Sequence, residues 1–185
     1  MCGQMGRCGV KWHTASRTGE VEFLPLNLPG PCFSSSPLSQ MALRGHHEHS
    51  LDDKNRLTIP SEMRKQLGTN EVVVSRGLDA CVTIWTAEAF EAFTSSFLSG
   101  LNPLSQDARR LSRYFNSGSY DVELDKSGRV MVPAKLLEHA GLTRDVAIVG
   151  DVDHIELWEP EAYAAYDAET STNLEATVAN IVSAG

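Results

Sequence analysis

Sliding the chain along itself by 73 residues lays positions 45–92 on 118–165 without a gap, and twelve of the 48 pairs are identical. Leu51/Leu124, Asp52/Asp125, Arg56/Arg129, Pro60/Pro133, Gly68/Gly141, Val73/Val146, Gly77/Gly150 and Trp85/Trp158 are among them. Conservative pairs such as Leu57/Val130, Ile59/Val132 and Ile84/Leu157 fill in between. A repeat constrains the fold more than any single motif, because one set of local rules must build the same unit twice. The 185 residues suffice for one or two modest cores.

Each copy reads in the same order. Alternating apolar and polar residues lead into Leu-Asp, a tight turn, then Arg and a β-branched run ending in Pro: 56–60 and 129–133. Period-two patterning on either side of turn residues predicts a hairpin. Asp125-Lys126-Ser127-Gly128 is good turn chemistry because Gly128 accepts positive φ, and Asn55, at the matching place, is the next most tolerant residue. Short helices follow over 61–67 and 134–140, stopped by Gly68 and Gly141. A hydrophobic strand, a turn and a last strand ending at Trp85 or Trp158 complete the unit. Beyond Trp85 a helix over 87–98 places Phe90, Phe93 and Phe97 in one stripe, and Pro160 opens a helix after Trp158.

This divides the chain into an irregular leader (1–40), a first repeat with its helix (41–100), a linker helix (101–117), a second repeat (118–166) and a helical tail (167–185). Pro25, Pro29, Pro31, Pro37, Gly30 and Ser34–Ser36 break any regular pattern in the leader. Met41 is expected to be the native start, with the leader an artefact of start-site choice; a genuine irregular tail is the alternative reading.

Charge bears on function through its distribution. Residues 1–143 hold 15 basic and 15 acidic side chains, whereas 144–185 hold Arg144 against nine acids and so carry the whole −8. An acidic total therefore leaves room for a small basic face in the first part. Cys2, Cys8, Cys32 and Cys81 show no paired spacing, so neither a zinc ribbon nor a disulfide framework is expected. His46, His47 and His49 lack a convincing further ligand, and no metal or cofactor is expected. Trp85 and Trp158 read as core anchors, and Arg109, Arg110 and Arg113 as a solvated helix face or partners of the acidic C-terminal part. No GxSxG, P-loop, GxGxxG or HExxH is present, which argues against an enzyme. No stretch is apolar enough for a membrane span, and no secretory signal opens the chain.

Leu-Asp-Asp-Lys-Asn-Arg-Leu-Thr-Ile-Pro (51–60) and Leu-Asp-Lys-Ser-Gly-Arg-Val-Met-Val-Pro (124–133) resemble the paired DxxxR motifs of the MraZ family. Ile84-Trp85, Glu156-Leu157-Trp158 and Tyr114-Phe115-Asn116-Ser117-Gly118 resemble it too, and the likeness covers 41 to about 170. The resemblance implies a mainly β (α+β) fold, in which two tandem swapped-hairpin AbrB-like elements form an intramolecular pseudo-dimeric barrel with flanking helices. It further implies a cytoplasmic, nucleoid-associated regulator that assembles into a ring. Such a ring would bind repeated double-stranded DNA elements upstream of its own cell-division and cell-wall gene cluster, with no small-molecule substrate. Lys54, Asn55, Arg56, Lys126 and Arg129 would meet DNA, and Asp52, Asp125 and Gly128 would structure the turns; the alternative for Arg56 and Arg129 is a structural pairing of each with its own Asp. Asn55 stands where the family usually has glycine, and Lys126 is one place off Lys54, so the halves need not contact DNA equally. A single-unit antitoxin of AbrB type is the rival reading, and the full-length tandem repeat argues against it.

Overall fold

The computed structural model describes residues 42–102 and 104–184; the leader with Cys2, Cys8 and Cys32, and Met41 after it, lie outside them. The first half runs β1 (His46–Ser50), β2 (Arg56–Thr58), α1 (Ser61–Leu67), β3 (Glu71–Arg76), β4 (Val82–Thr86) and α2 (Ala87–Leu98). After α3 (Gln106–Ser117) the second half repeats the order as β5 (Ser119–Glu123), β6 (Arg129–Met131), α4 (Ala134–Ala140), β7 (Asp145–Asp151), β8 (His154–Trp158) and α5 (Pro160–Ala184). α5 is one continuous helix, where the sequence pattern suggested a repeat-end helix and a separate C-terminal one.

The halves exchange strands. One sheet has the order β1-β7-β8-β4-β3-β5, and β2 pairs with β6 in a separate ribbon. Swapping the two halves reverses the sheet order and leaves the ribbon unchanged, which is pseudo-twofold symmetry within one chain. The two arms expected to form a hairpin in each half share its turn but not a ladder. β1 pairs with β7 of the other half, β5 with β3, and β2 with β6. The fold is thus mainly antiparallel sheet with helices, as expected, four of them short and α5 running 25 residues; its strands form an open sheet plus a ribbon, and their ladders do not join into a closed barrel.

Strand register corrects the gapless alignment at one place. β3 and β7 correspond at a spacing of 74, not 73, since Ser119 pairs with Ser75 while His46 pairs with Val149. An extra residue before β7 is compensated by a turn one residue shorter between β7 and β8. The physical reason is alternation. A spacing of 73 would make Asp145 the equivalent of the buried Val72, whereas 74 makes Val146 and Ile148 the equivalents of Val72 and Val74, all four in the core. Val73/Val146 and Gly77/Gly150 are therefore identities without structural equivalence.

The core lies between the inner face of the sheet and a layer made of α1, α4 and the ribbon. Leu57, Ile59, Val130 and Val132 are fully buried beneath the ribbon, and Met63, Leu136, Val74, Val82, Ile84, Ile148, Ile155 and Leu157 meet them. Burial of an aliphatic side chain of this size stabilises by roughly 1.5–3 kcal/mol, so the ribbon is anchored by its inward residues rather than by its few backbone bonds. Gly68 (φ 68°) and Gly141 (φ 63°) close α1 and α4 in the left-handed conformation, as expected. On the outer face Trp85 and Trp158 are buried anchors. Trp85 packs on Phe93 of α2, which meets Phe115 of α3 edge-on at 5.4 Å. Cys81, just before β4, is buried with Ala147 and Trp158.

Candidate nucleic-acid interface

The two DxxxR segments make the same turn by the same bonds. Asn55 N–H donates to Asp52 O (2.9 Å) and Gly128 N–H to Asp125 O (2.8 Å). Asp52 N–H then donates to Arg56 O (3.0 Å) and Asp125 N–H to Arg129 O (2.9 Å). Asn55 (φ 56°) and Gly128 (φ 75°) occupy the left-handed position that such a turn needs before its second arm. The carboxylate of each Asp stitches the turn from within. Oδ1 of Asp52 accepts from Lys54 N–H (2.8 Å) and Arg56 N–H (2.9 Å); Oδ1 of Asp125 accepts from Ser127 N–H (2.8 Å) and Arg129 N–H (3.0 Å).

Each Arg folds back on its own Asp. Arg56 donates from Nε to Asp52 Oδ2 at 2.7 Å, with Nη2 at 2.6 Å; Arg129 does the same with Asp125, at 2.7 Å from both Nε and Nη2. The side-chain bond from Arg56 holds the Asp52 carboxyl down at about 2, and backbone bonding from Arg129 lowers that of Asp125. The paired arrangement fixes the Nε–Nη2 edge of each guanidinium and leaves Nη1 of Arg56 without a partner among the described residues.

The ribbon brings the two turns together. Arg56 lies opposite Met131 and Thr58 opposite Arg129, so these four side chains share the outward face while Leu57 and Val130 point into the core. Nη1 of Arg129 stands 3.9 Å from Oδ2 of Asp52, a contact between halves. Ile59 N–H donates to Gly128 O and Val132 N–H to Asn55 O, which ties each turn to the other half's strand. Lys54 and Lys126 are exposed on the turns.

Sequence reasoning missed three members of this face. Thr58 and Met131 were signalled by strand alternation, since each lies two residues from an outward arginine. Arg64, from α1, lies across Gly128, where a Cβ would stand 2.1 Å from its Nη1. Arg64 corresponds to Leu137 in the repeat, so this cation guards only the second turn. Lys54, Arg56, Arg64, Lys126 and Arg129 then face Asp52, Asp53 and Asp125, a modest positive excess on a chain of net charge −8.

Other candidates fall elsewhere. His47 and His49 share one face of β1, as HxH on a strand must. Arg109, Arg110 and Arg113 lie on α3, where Arg110 pairs with Asp107 at 3.5 Å and Arg109 donates to Leu104 O; no bridge to the acidic C-terminal part forms among the described residues. Among the described residues no helix is long and apolar enough to cross a membrane.

Two tandem units that exchange strands about a pseudo-twofold axis and set two charged turns on one surface define a swapped-hairpin β protein. Comparison with known proteins identifies which. The model of the family described as "MraZ protein, putative antitoxin-like" matches twice in tandem, over 42–114 and 115–183. Transcriptional regulator MraZ of Lactiplantibacillus plantarum is 38% identical over 138 residues, covering 75% of this chain and 96% of that one. The proteins of the same name from Limosilactobacillus fermentum and Symbiobacterium thermophilum are 37% and 40% identical, over 71% and 68% of this chain and 90% and 89% of their own. The chain belongs to the MraZ family, a family of transcriptional regulators rather than enzymes.

Proposed function

We propose that the chain is a sequence-specific double-stranded DNA-binding regulator that reads its operator with the paired turns. The observation that carries this reading is the shared outward face of Arg56, Thr58, Arg129 and Met131, flanked by Lys54 and Lys126. A rigid two-stranded ribbon fits the major groove, where arginine bonds guanine O6 and N7 and apolar groups meet the thymine methyl. Asp52 and Asp125 act as positioning residues, because a guanidinium clamped along one edge presents its other edge in a fixed direction. Asn55, at the tip, completes the set of base-reading candidates. Lys54 and Lys126 serve as phosphate contacts.

The positive excess is small, so one chain makes few phosphate contacts and binds weakly alone. We infer that copies assemble, as a ring, over repeated elements upstream of the chain's own cell-division and cell-wall gene cluster, in the cytoplasm at the nucleoid. Repetition raises the effective concentration of each turn at its site. α5 supports assembly: Leu174, Val178, Ile181 and Val182 are exposed at helical spacing along it.

A gel shift on DNA from upstream of the gene, with scrambled competitor at two salt concentrations, tests the reading. A specific, salt-sensitive shift that weakens roughly tenfold or more in Arg56→Ala is expected. A folded Arg56→Ala variant with unchanged specific affinity would remove Arg56 from the interface. A monomeric mass by light scattering would sink the ring.

A further inference from the structure

On the outer face, away from the ribbon, Asp151, His154 and Glu156 each offer one ligand atom, and these atoms lie within 4.8 Å of one another. Asp151 and His154 are cross-strand partners in β7 and β8, and Glu156 follows His154 on the same face. Nε2 of His154 is 3.5 Å from Oε1 of Glu156. Zinc bonds of ~2.0–2.1 Å at the tetrahedral angle set two ligand atoms ~3.3 Å apart, so the pair needs little adjustment to share an ion.

Both side chains are already oriented from behind. Nδ1 of His154 lies 2.9 Å from Oδ1 of Asp153, so Nδ1 faces an acceptor and a metal would take Nε2 in place of the proton that Nε2 can offer Glu156. The Trp158 indole N–H donates to Oε2 of Glu156 at 2.9 Å, leaving Oε1 for a ligand. The His154 ring lies flat on Trp85, centroids 4.0 Å apart and planes 9° apart. A carboxylate behind an imidazole and a donor behind a carboxylate are the outer contacts that fix metal ligands.

Three observations independent of those bonds point the same way. Asp151, Asp153 and Glu156 crowd one imidazole, yet no Lys or Arg bridges any of them among the described residues. Carboxylates gathered around one imidazole repel one another, and Glu156 is only 21% exposed, so a divalent ion, which carries more charge than a proton on His154, would offset that repulsion. The repeat supplies an internal control: the first half builds the same hairpin with Gly77, Cys81 and Thr83 at the corresponding places, so the fold does not demand this trio. Beside the trio lies a cavity of about 440 Å³, bordered by Trp85, Phe93 and Tyr163. Trp85, which borders it, is 3% exposed, and its Nε1–H has no partner among the described residues.

We propose that this site binds a divalent first-row transition ion through Nε2 of His154, Oε1 of Glu156 and a carboxylate oxygen of Asp151, with water from the cavity completing the shell. Imidazole with carboxylate suits zinc or its neighbours and disfavours magnesium and calcium. Cys81 Sγ is 4.0 Å from Oε1 of Glu156, but it is 1% exposed in apolar surroundings and stands outside the ligand set.

The test is calorimetric titration of the full, tag-free, chelator-stripped chain with Zn²⁺, in parallel with Asp151→Asn, His154→Gln and Glu156→Gln. Wild type should bind one equivalent more than each variant, or bind that equivalent at least tenfold tighter. Co²⁺ should quench Trp85 in wild type and fail to do so in the variants, without a change in any thiolate band from cysteines elsewhere. Asp151 is exposed, so Asp151→Asn keeps the test open if a buried variant fails to fold. Equal stoichiometry and affinity in wild type and a folded Asp151→Asn or Glu156→Gln, or no Zn²⁺ uptake by wild type, would overturn the proposal.

Discussion

The two turns are the same device set in different surroundings. Both use an Asp carboxylate to bind two backbone N–H groups and its own Arg, and both need one residue at positive φ. In the first half Asn55 fills that place and is exposed; in the second Gly128 fills it and is buried under Arg64. Hydrogen bonds within the turn dictate Asp and Arg, whereas the neighbour overhead dictates whether a side chain fits at the αL position. Duplication thus preserved the internally determined residues and released the externally determined one.

The comparison can be broken first in the layer that carries both turns. Leu57→Ala should cost about 2–5 kcal/mol and Val130→Ala somewhat less, because both are fully buried under the ribbon and removal leaves a cavity. Urea unfolding with an unchanged slope checks this; a Leu57→Ala loss well under ~1 kcal/mol would mean the ribbon is loosely seated.

Next come the arginines. If the halves read DNA equally, Arg56→Ala and Arg129→Ala should each weaken specific binding by about 1–3 kcal/mol while leaving a folded circular-dichroism spectrum. A larger loss for Arg56 would show that Arg129, also near Asp52, serves the turn more than the DNA.

The glycine comparison is sharper though smaller. Gly128→Ala should destabilise by about 1–2 kcal/mol, from the left-handed backbone alone, plus whatever displacing Arg64 adds. Asn55→Gly should change stability by only a few tenths of a kcal/mol, since Asn tolerates that backbone and the site is open. Adding Arg64→Ala to Gly128→Ala should recover the steric part, and strict additivity in that double-mutant cycle would remove Arg64 from the account.

The smallest expected effect is in pH. Asp52 falls from 3.8 to about 2 on folding, so its contribution is complete above about 4 and disappears as pH drops through about 2. Asp125 shifts in the same direction. Asp52→Asn should therefore flatten the acid limb of the stability curve, and an unaltered limb would deny the turn carboxylate its role.

Much of this was legible in the residues. α1, α4 and α2 fell where capping and periodicity placed them, and positive φ at Asn55 and Gly128 followed from turn chemistry. Strand partnership was not legible in the local pattern, and only the family resemblance implied swapped hairpins. A turn of this kind predicts that its own arms pair, and only the competition between the halves for shared edges sends β1 to β7 and β2 to β6. The one-residue slip at β7 was hidden as well, because two chance identities favoured the wrong spacing until register against β1 and β5 exposed it. Arg64 over Gly128 carried no signal at all, since 64 positions of separation lie between them.

The residues alone dictate the duplication, the turn chemistry and the bounds of α1, α2 and α4, because each rests on interactions between residues a few places apart. The tertiary structure decided which strands pair, in what register, and which side chains meet on the ribbon face. Those outcomes depend on how two half-cores satisfy each other's edges and apolar faces, which no local pattern encodes.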